Sequence, residues 1–232
     1  MHCLDGPNKS VEAGRESGIL EVTQFGTGSG KSVNRTDEDS NRRRVIIVGI
    51  PGVGKTTVVN RVVEMLKERS DSLCLVNYGS MMMEEATIRH GLKSRDEMRK
   101  LPVELQRSLQ VYAAERISLM ESKFVIVDTH LFIVTREGFW PGMPLDVLRA
   151  LKPTHLILVS ASLEEIKSRR ESDATRTRDI ASIESLSLEM EAAKSLLFAS
   201  SLICGCPALI VTNPTGQADD AAKKIINSIF LN

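Results

Sequence analysis

Residues 45–57 read Val45-Ile46-Ile47-Val48-Gly49-Ile50-Pro51-Gly52-Val53-Gly54-Lys55-Thr56-Thr57. The first four form an unbroken apolar run, short enough for a strand buried on both faces. Gly49 to Thr56 then satisfies G-x-x-x-x-G-K-[ST] at every fixed position, and Val58, Val59, Val62, Val63 and Leu66 follow at helical spacing. Strand, loop and helix agree, which an incidental glycine-rich turn does not require. Glycines in such a loop let backbone N–H groups turn toward one anion, and the helix behind it directs its positive end to the same point. Lys55 adds a compact cation, and Thr56 a hydroxyl for Mg²⁺ shared with the β- and γ-phosphate oxygens of a nucleoside triphosphate. Gly49, Ile50, Pro51, Gly52, Val53, Gly54, Lys55, Thr56 and Thr57 are the expected cradle.

Further along the chain, strand-length apolar runs recur at Leu73 to Val76, Phe124 to Val127, Leu156 to Val159 and Ala208 to Val211. Helical spacing separates them: Leu105, Leu109, Tyr112, Ala113 and Met120 after Pro102, a stretch from Ser162, and Ala218, Ala221, Ala222, Ile225 and Ile229 at the end. Strands buried on both faces and alternating with helices predict an open α/β sandwich with a five-stranded parallel sheet. Gly138-Phe139-Trp140-Pro141-Gly142-Met143-Pro144 reads as a turn-rich loop.

Ahead of this domain the composition changes. Residues 1–44 hold ten apolar side chains, six glycines and seven charges of each sign, with no periodicity. That segment cannot bury enough surface to fold alone, so 1–44 is expected to be a disordered extension and 45–232 the domain. Phe25-Gly26-Thr27-Gly28-Ser29-Gly30-Lys31-Ser32 imitates the phosphate loop, but it starts with Phe and no apolar helical face follows. Arg42-Arg43-Arg44 reads as a solvated charged flank. Over the 232 residues, 30 Lys and Arg offset 30 Asp and Glu, which excludes a chain-wide basic field for nucleic acid or an anionic membrane. No apolar stretch reaches bilayer length and no signal peptide opens the chain, so a soluble cytoplasmic protein is expected. Cys3, Cys74, Cys204 and Cys206 are too few for a disulfide framework and read as small thiols.

The loop alone leaves the reaction open. A guanine-reading N-K-x-D is missing, and Asp128, ending the third apolar run, is followed by Thr129-His130 and not by a water-polarising glutamate. Transfer of a phosphoryl group to a bound acceptor remains, catalysed by positioning and charge. Carboxyl ends of parallel strands face the ligand crevice, which places Asn77, Ser80, Asp128 and His130 there. Arg95 and Arg99, at i and i+4, either clamp a second phosphate or lie on an exposed helix face. Arg169, Arg170, Arg176 and Arg178 sit at a helix-loop-helix corner. They form either a small lid over the triphosphate or a solvated corner balanced by Asp173 and Asp179.

Gly49 to Thr57, Val76-Asn77-Tyr78-Gly79-Ser80, Arg95 to Leu101, Val127 to His130, Pro141-Gly142-Met143-Pro144 and Arg169-Arg170 to Arg178-Asp179 occur in this order. In that arrangement the chain resembles the archaeal-type adenylate kinases across nearly all of 45–232. The resemblance implies a P-loop sandwich with a small helical region for the nucleoside monophosphate and a short lid. It also implies the reversible conversion of ATP and AMP to two ADP, Mg²⁺ dependence and often a homotrimer. By position it implies ATP contacts at Gly52 to Thr57, lid cations at Arg176 and Arg178, and an AMP side at Asn77, Ser80, Arg95 and Arg99. Beside these, Lys55 and Arg170 are expected as further catalytic cations, Thr56 at the metal and Asp128 on the AMP side, with His130 either touching substrate there or orienting a neighbour by a hydrogen bond. Two departures stand out: Tyr78 and Ser80 replace the family's usual Phe and Thr, and the 44-residue extension has no counterpart. A kinase of the same fold acting on another acceptor, or an ATP-binding switch, fits the P-loop equally.

Overall fold

The apolar run beside the loop forms the centre of a sheet in the computed structural model, which describes residues 23–25, 42–172 and 182–231. Strand β2 (Arg43–Val48) pairs in parallel with β4 (Phe124–Asp128) on one side and β7 (His155–Ser160) on the other. Outside these lie β3 (Leu73–Asn77) and β8 (Ala208–Thr212), also parallel. Thr23–Phe25 adds an antiparallel strand β1 on β3, and the order is β1-β3-β4-β2-β7-β8. The five parallel strands are the five apolar runs. β1 comes from the segment expected to lack structure; the other residues up to 41 lie outside those described.

Burial on both faces explains the lack of alternation: Val45, Ile46, Ile47 and Val48 are all fully buried. Helix α1 (Lys55–Lys67) packs its valines against α8 (Ala218–Phe230), which presents Ala221, Ala222, Ile225, Ile226 and Ile229. A second layer holds α4 (Val103–Ser118), α5 (Leu145–Leu151) and α7 (Ile183–Cys204). Between β3 and α4 stand α2 (Tyr78–His90) and α3 (Arg95–Arg99), with a satellite core of Ala86, Met98 and Leu109 flanked by Met82 and Met83. That core gives the α2–α3 region packing of its own, joined to the main core through Met82. Met81 belongs to the main core.

Two local expectations are corrected. Arg44 is no solvated flank: its guanidinium donates to the carbonyls of Leu151 (2.9 Å) and Lys152 (2.8 Å) at the end of α5, and of Ser118 (3.1 Å) at the end of α4. A cation satisfying the carbonyls that helix ends leave unpaired stabilises both termini. The segment expected as a turn-rich loop contains strand β6 (Gly138–Pro141), paired with β5 (Phe132–Thr135) as a hairpin, with the Phe132 and Phe139 rings 4.7 Å apart. Cys74, Cys204 and Cys206 are free thiols. Among the described residues no helix is long and apolar enough to cross a membrane, and no group of three or more His, Cys, Asp or Glu forms a metal cluster.

Candidate active site

The phosphate loop leaves the carboxyl end of β2 and turns into α1 through glycines that only glycine conformations fit. Gly52 has φ +91° and Gly54 +80°. Gly54 is the N-cap of α1 and no side chain caps that helix, so its first N–H groups have no side-chain partner. Asn77 caps α2, Ser94 caps α3, Ser182 caps α7, and Ser162 and Glu165 form a capping box on α6 (Leu163–Glu171), whereas α4, α5 and α8 lack a side-chain cap as α1 does. What distinguishes α1 is the glycine loop in front of its open end. An uncapped N-terminus behind a glycine loop is where an anion is bound.

Lys55 pairs with Asp128 inside the crevice; their side chains are 9% and 14% exposed. Burial lowers the Lys55 ammonium from 10.5 to about 8, leaving it charged at neutral pH. Sheet register places Asn77 beside Asp128. Asn77 Nδ2 donates to the second Asp128 oxygen (3.3 Å), while its Oδ1 accepts from the Ser80 N–H (3.0 Å) and hydroxyl (3.2 Å). Arg95 then donates to Ser80 Oγ at 3.0 Å. A continuous polar line thus runs from the loop lysine through Asp128, Asn77 and Ser80 to Arg95. Arg99 is not part of it: Asp96 holds it at 3.0 Å and its side chain is 70% exposed. His130 lies with Nδ1 3.1 Å from the Gly49 carbonyl; an oxygen that only accepts places the proton on Nδ1. Thr129, buried between, donates its N–H to Ile47 (3.1 Å).

Behind the loop lies a set of contacts not foreseen from sequence. Arg170 Nε donates to the Pro51 carbonyl (2.9 Å), and its two terminal nitrogens meet both Glu189 oxygens (3.1 and 2.6 Å). Arg169 and Asn213 both donate to the Val53 carbonyl, at 3.2 and 2.9 Å. Arg169 also reaches the Asn213 carbonyl (3.1 Å) and Thr215 Oγ1 (3.0 Å). Glu165, lowered to about 2 mainly by hydrogen bonds from the Thr215 N–H and hydroxyl, closes this knot as a fixed carboxylate. Arg170, expected against the transferring phosphoryl group, is therefore engaged from the other side of the loop, because a buried carboxylate captures its fork. Arg176 and Arg178 lie outside the described residues. Asn213 follows the carboxyl end of β8, so the strand-end rule could have found it. Glu189 lies mid-helix with no local signal.

Comparison with known proteins adds the family. An AAA domain profile matches residues 48–187. The adenylate kinase of Methanocaldococcus jannaschii is 37% identical over 183 residues, 78% of this chain and 95% of that protein. The adenylate kinase of Thermoplasma acidophilum is 40% identical over 186 residues, 80% of this chain and 98% of that protein. The chain belongs to the archaeal adenylate kinase family. Its fold is also that of a shikimate kinase from Acinetobacter baumannii (TM-score 0.52, 18% identity, covering 84% of this chain and 98% of that one). That likeness concerns the fold alone. As an adenylate kinase family member, the chain carries its P-loop, Asn77-Tyr78-Gly79-Ser80 turn and Asp128-Thr129-His130 strand end around one crevice.

Proposed function

We propose that the chain transfers the γ-phosphoryl group of MgATP reversibly to AMP, giving two ADP. The observation that carries this reading is the line Lys55–Asp128–Asn77–Ser80–Arg95, which joins the triphosphate cradle to a second cation across the crevice. A switch that binds only ATP needs no second cation there. In this reading the loop N–H groups and Lys55 hold the triphosphate, and Asn77 and Ser80 set the acceptor-side turn. Arg95 meets the acceptor phosphate, and Arg176 and Arg178 close over the transferring group. Arg99 approaches only if it leaves Asp96. His130 keeps Gly49 oriented.

The residues present suit Mg²⁺. Thr56 is exposed at the start of α1, and its hydroxyl gives one hard oxygen for Mg²⁺, with phosphate and water filling the other positions. Bound there, the ion would neutralise charge on the β- and γ-phosphates. A cytoplasmic setting, a homotrimer and a catalytic unit spanning 45–232 complete the reading.

A coupled assay with AMP, CMP, UMP and GMP as acceptors tests it. AMP-dependent ADP formation is expected, and its absence overturns the assignment. The Lys55 environment makes a second prediction. Because kcat/KM reports the free enzyme, kcat/KM for ATP should fall as pH rises through about 8, where the ammonium deprotonates. A profile that stays flat between about pH 7 and 9 would count against a phosphate-binding cation at Lys55.

A further inference from the structure

The segment 173–181 is entered from α6, which ends next to Arg169-Arg170, and left by α7, which carries Glu189. The two flanking helices meet through the bidentate Arg170–Glu189 pair, whose side chains are only 12% and 8% exposed. The same Arg170 reaches the Pro51 carbonyl and packs under Gly52, where a Cβ would lie 3.0 Å from Arg170 Cγ. A peptide is planar, with its carbonyl oxygen and the next N–H on opposite sides. Holding the Pro51 and Val53 carbonyls from behind therefore directs the Gly52 and Gly54 N–H groups to the other side, toward the position of the anion. Arg169 and Asn213 do this at Val53; Arg170 alone does it at Pro51 among the side-chain bonds to that carbonyl in the described residues.

From this geometry we infer that Glu189 is a positioning residue for the triphosphate site. It holds Arg170 as a strut behind the phosphate loop, and it sets which side of the loop that guanidinium serves. Without an anion at 189, a largely buried guanidinium loses the charged partner of both terminal nitrogens and keeps only its Nε bond to Pro51, and it moves to the nearest negative charge. Two effects follow. The Pro51–Gly52 peptide loses the bond that presets it, so nucleotide binding bears the cost of ordering it. The tie between the helices on either side of 173–181 is also cut. Because Glu189 acts only through Arg170, it is not itself a ligand of substrate. The inference rests on the reading of the loop as a nucleoside triphosphate site.

The test uses the full-length protein and a non-hydrolysable ATP analogue with Mg²⁺, with Kd measured by calorimetry and folding checked by thermal melting. Glu189→Gln keeps the shape and removes the charge; its Kd for the analogue should rise about tenfold, with KM for AMP within about twofold of wild type. Replacing both partners, as Glu189→Gln with Arg170→Met, removes the buried charge imbalance and should recover thermal stability but not analogue affinity. If Glu189→Gln does not fold, Glu189→Asp, which keeps the charge one methylene short, should fold and bind about threefold more weakly. A Kd within twofold of wild type in the variant that folds overturns the inference. So does recovery of wild-type affinity in the double variant, which would make the pair purely structural. Failure of the wild-type protein to bind the analogue removes the triphosphate reading itself. Wild-type binding that is indifferent to residue 189 removes only the positioning role.

Discussion

Lys55→Ala is expected to lower kcat by at least about 10²-fold, the loss that follows removal of one preorganised charge stabiliser, or about 2.7 kcal/mol of barrier. Lys55 is the cation of the loop, almost wholly covered and held by Asp128 until a triphosphate competes for it. Its removal does more than delete a contact. Asp128 keeps its bond from Asn77 but loses its cation, so a carboxylate now faces the site that must receive a polyanion. The KM for ATP should therefore rise together with the fall in kcat. Combining Lys55→Ala with Asp128→Asn separates the two effects. The neutral partner relieves the repulsion and recovers ATP affinity, whereas kcat stays low because the charge that follows the phosphoryl group is still missing. Lys55→Arg should not rescue fully, since a planar fork cannot replace a point charge in so confined a place. Steady-state kinetics on the folded variants decide the matter: a kcat within about threefold of wild type would take Lys55 out of the transferring step.

How much of this was legible in the sequence depends on how local the information is. Residues 45–66 specify strand, loop and helix consecutively, so both the fold class and the cradle are legible in the sequence. The placement of Asn77 beside Asp128 is legible because both end apolar runs, and parallel strands place their carboxyl ends together. Contacts made at long range were not legible. Arg44 reads as part of a charge run until two helix ends are seen to converge on it. Glu189 and Arg170 stand on different helices, and no spacing links them. The i, i+4 spacing of Arg95 and Arg99 was real, but Ser80 takes one side chain and Asp96 the other. The hairpin at 132–141 was missed because Ile133, Val134 and Phe139 are exposed, so the alternation that marks a half-buried strand is weak. In each case the pattern identified the residue type, and the packing partner determined what the residue does.

Gly54→Ala should be the second most damaging single change, with kcat/KM for ATP reduced about 10²-fold, the scale set by misplacing a catalytic constellation by an ångström. Two costs act together. At φ +80° an L side chain meets the left-handed penalty of roughly 1–2 kcal/mol. In addition, the new Cβ would stand 2.5 Å from Asn213 Nδ2, the group that donates to the Val53 carbonyl. Asn213 must give way, and with it one of the two side chains that hold the Val53–Gly54 peptide with its N–H toward the anion. The variant thus disorders the cradle without removing any charge. Gly205→Ala isolates the first cost: Gly205 ends α7 at φ +64° with no atom within 4 Å of a Cβ. It should lose stability to a similar conformational penalty while keeping wild-type kcat/KM per folded molecule. Thermal melting and steady-state kinetics on both proteins distinguish the terms. If Gly54→Ala loses no more activity than Gly205→Ala, the contact with Asn213 has no part in shaping the loop, and the cradle would have to be set by Arg169 and Arg170 alone.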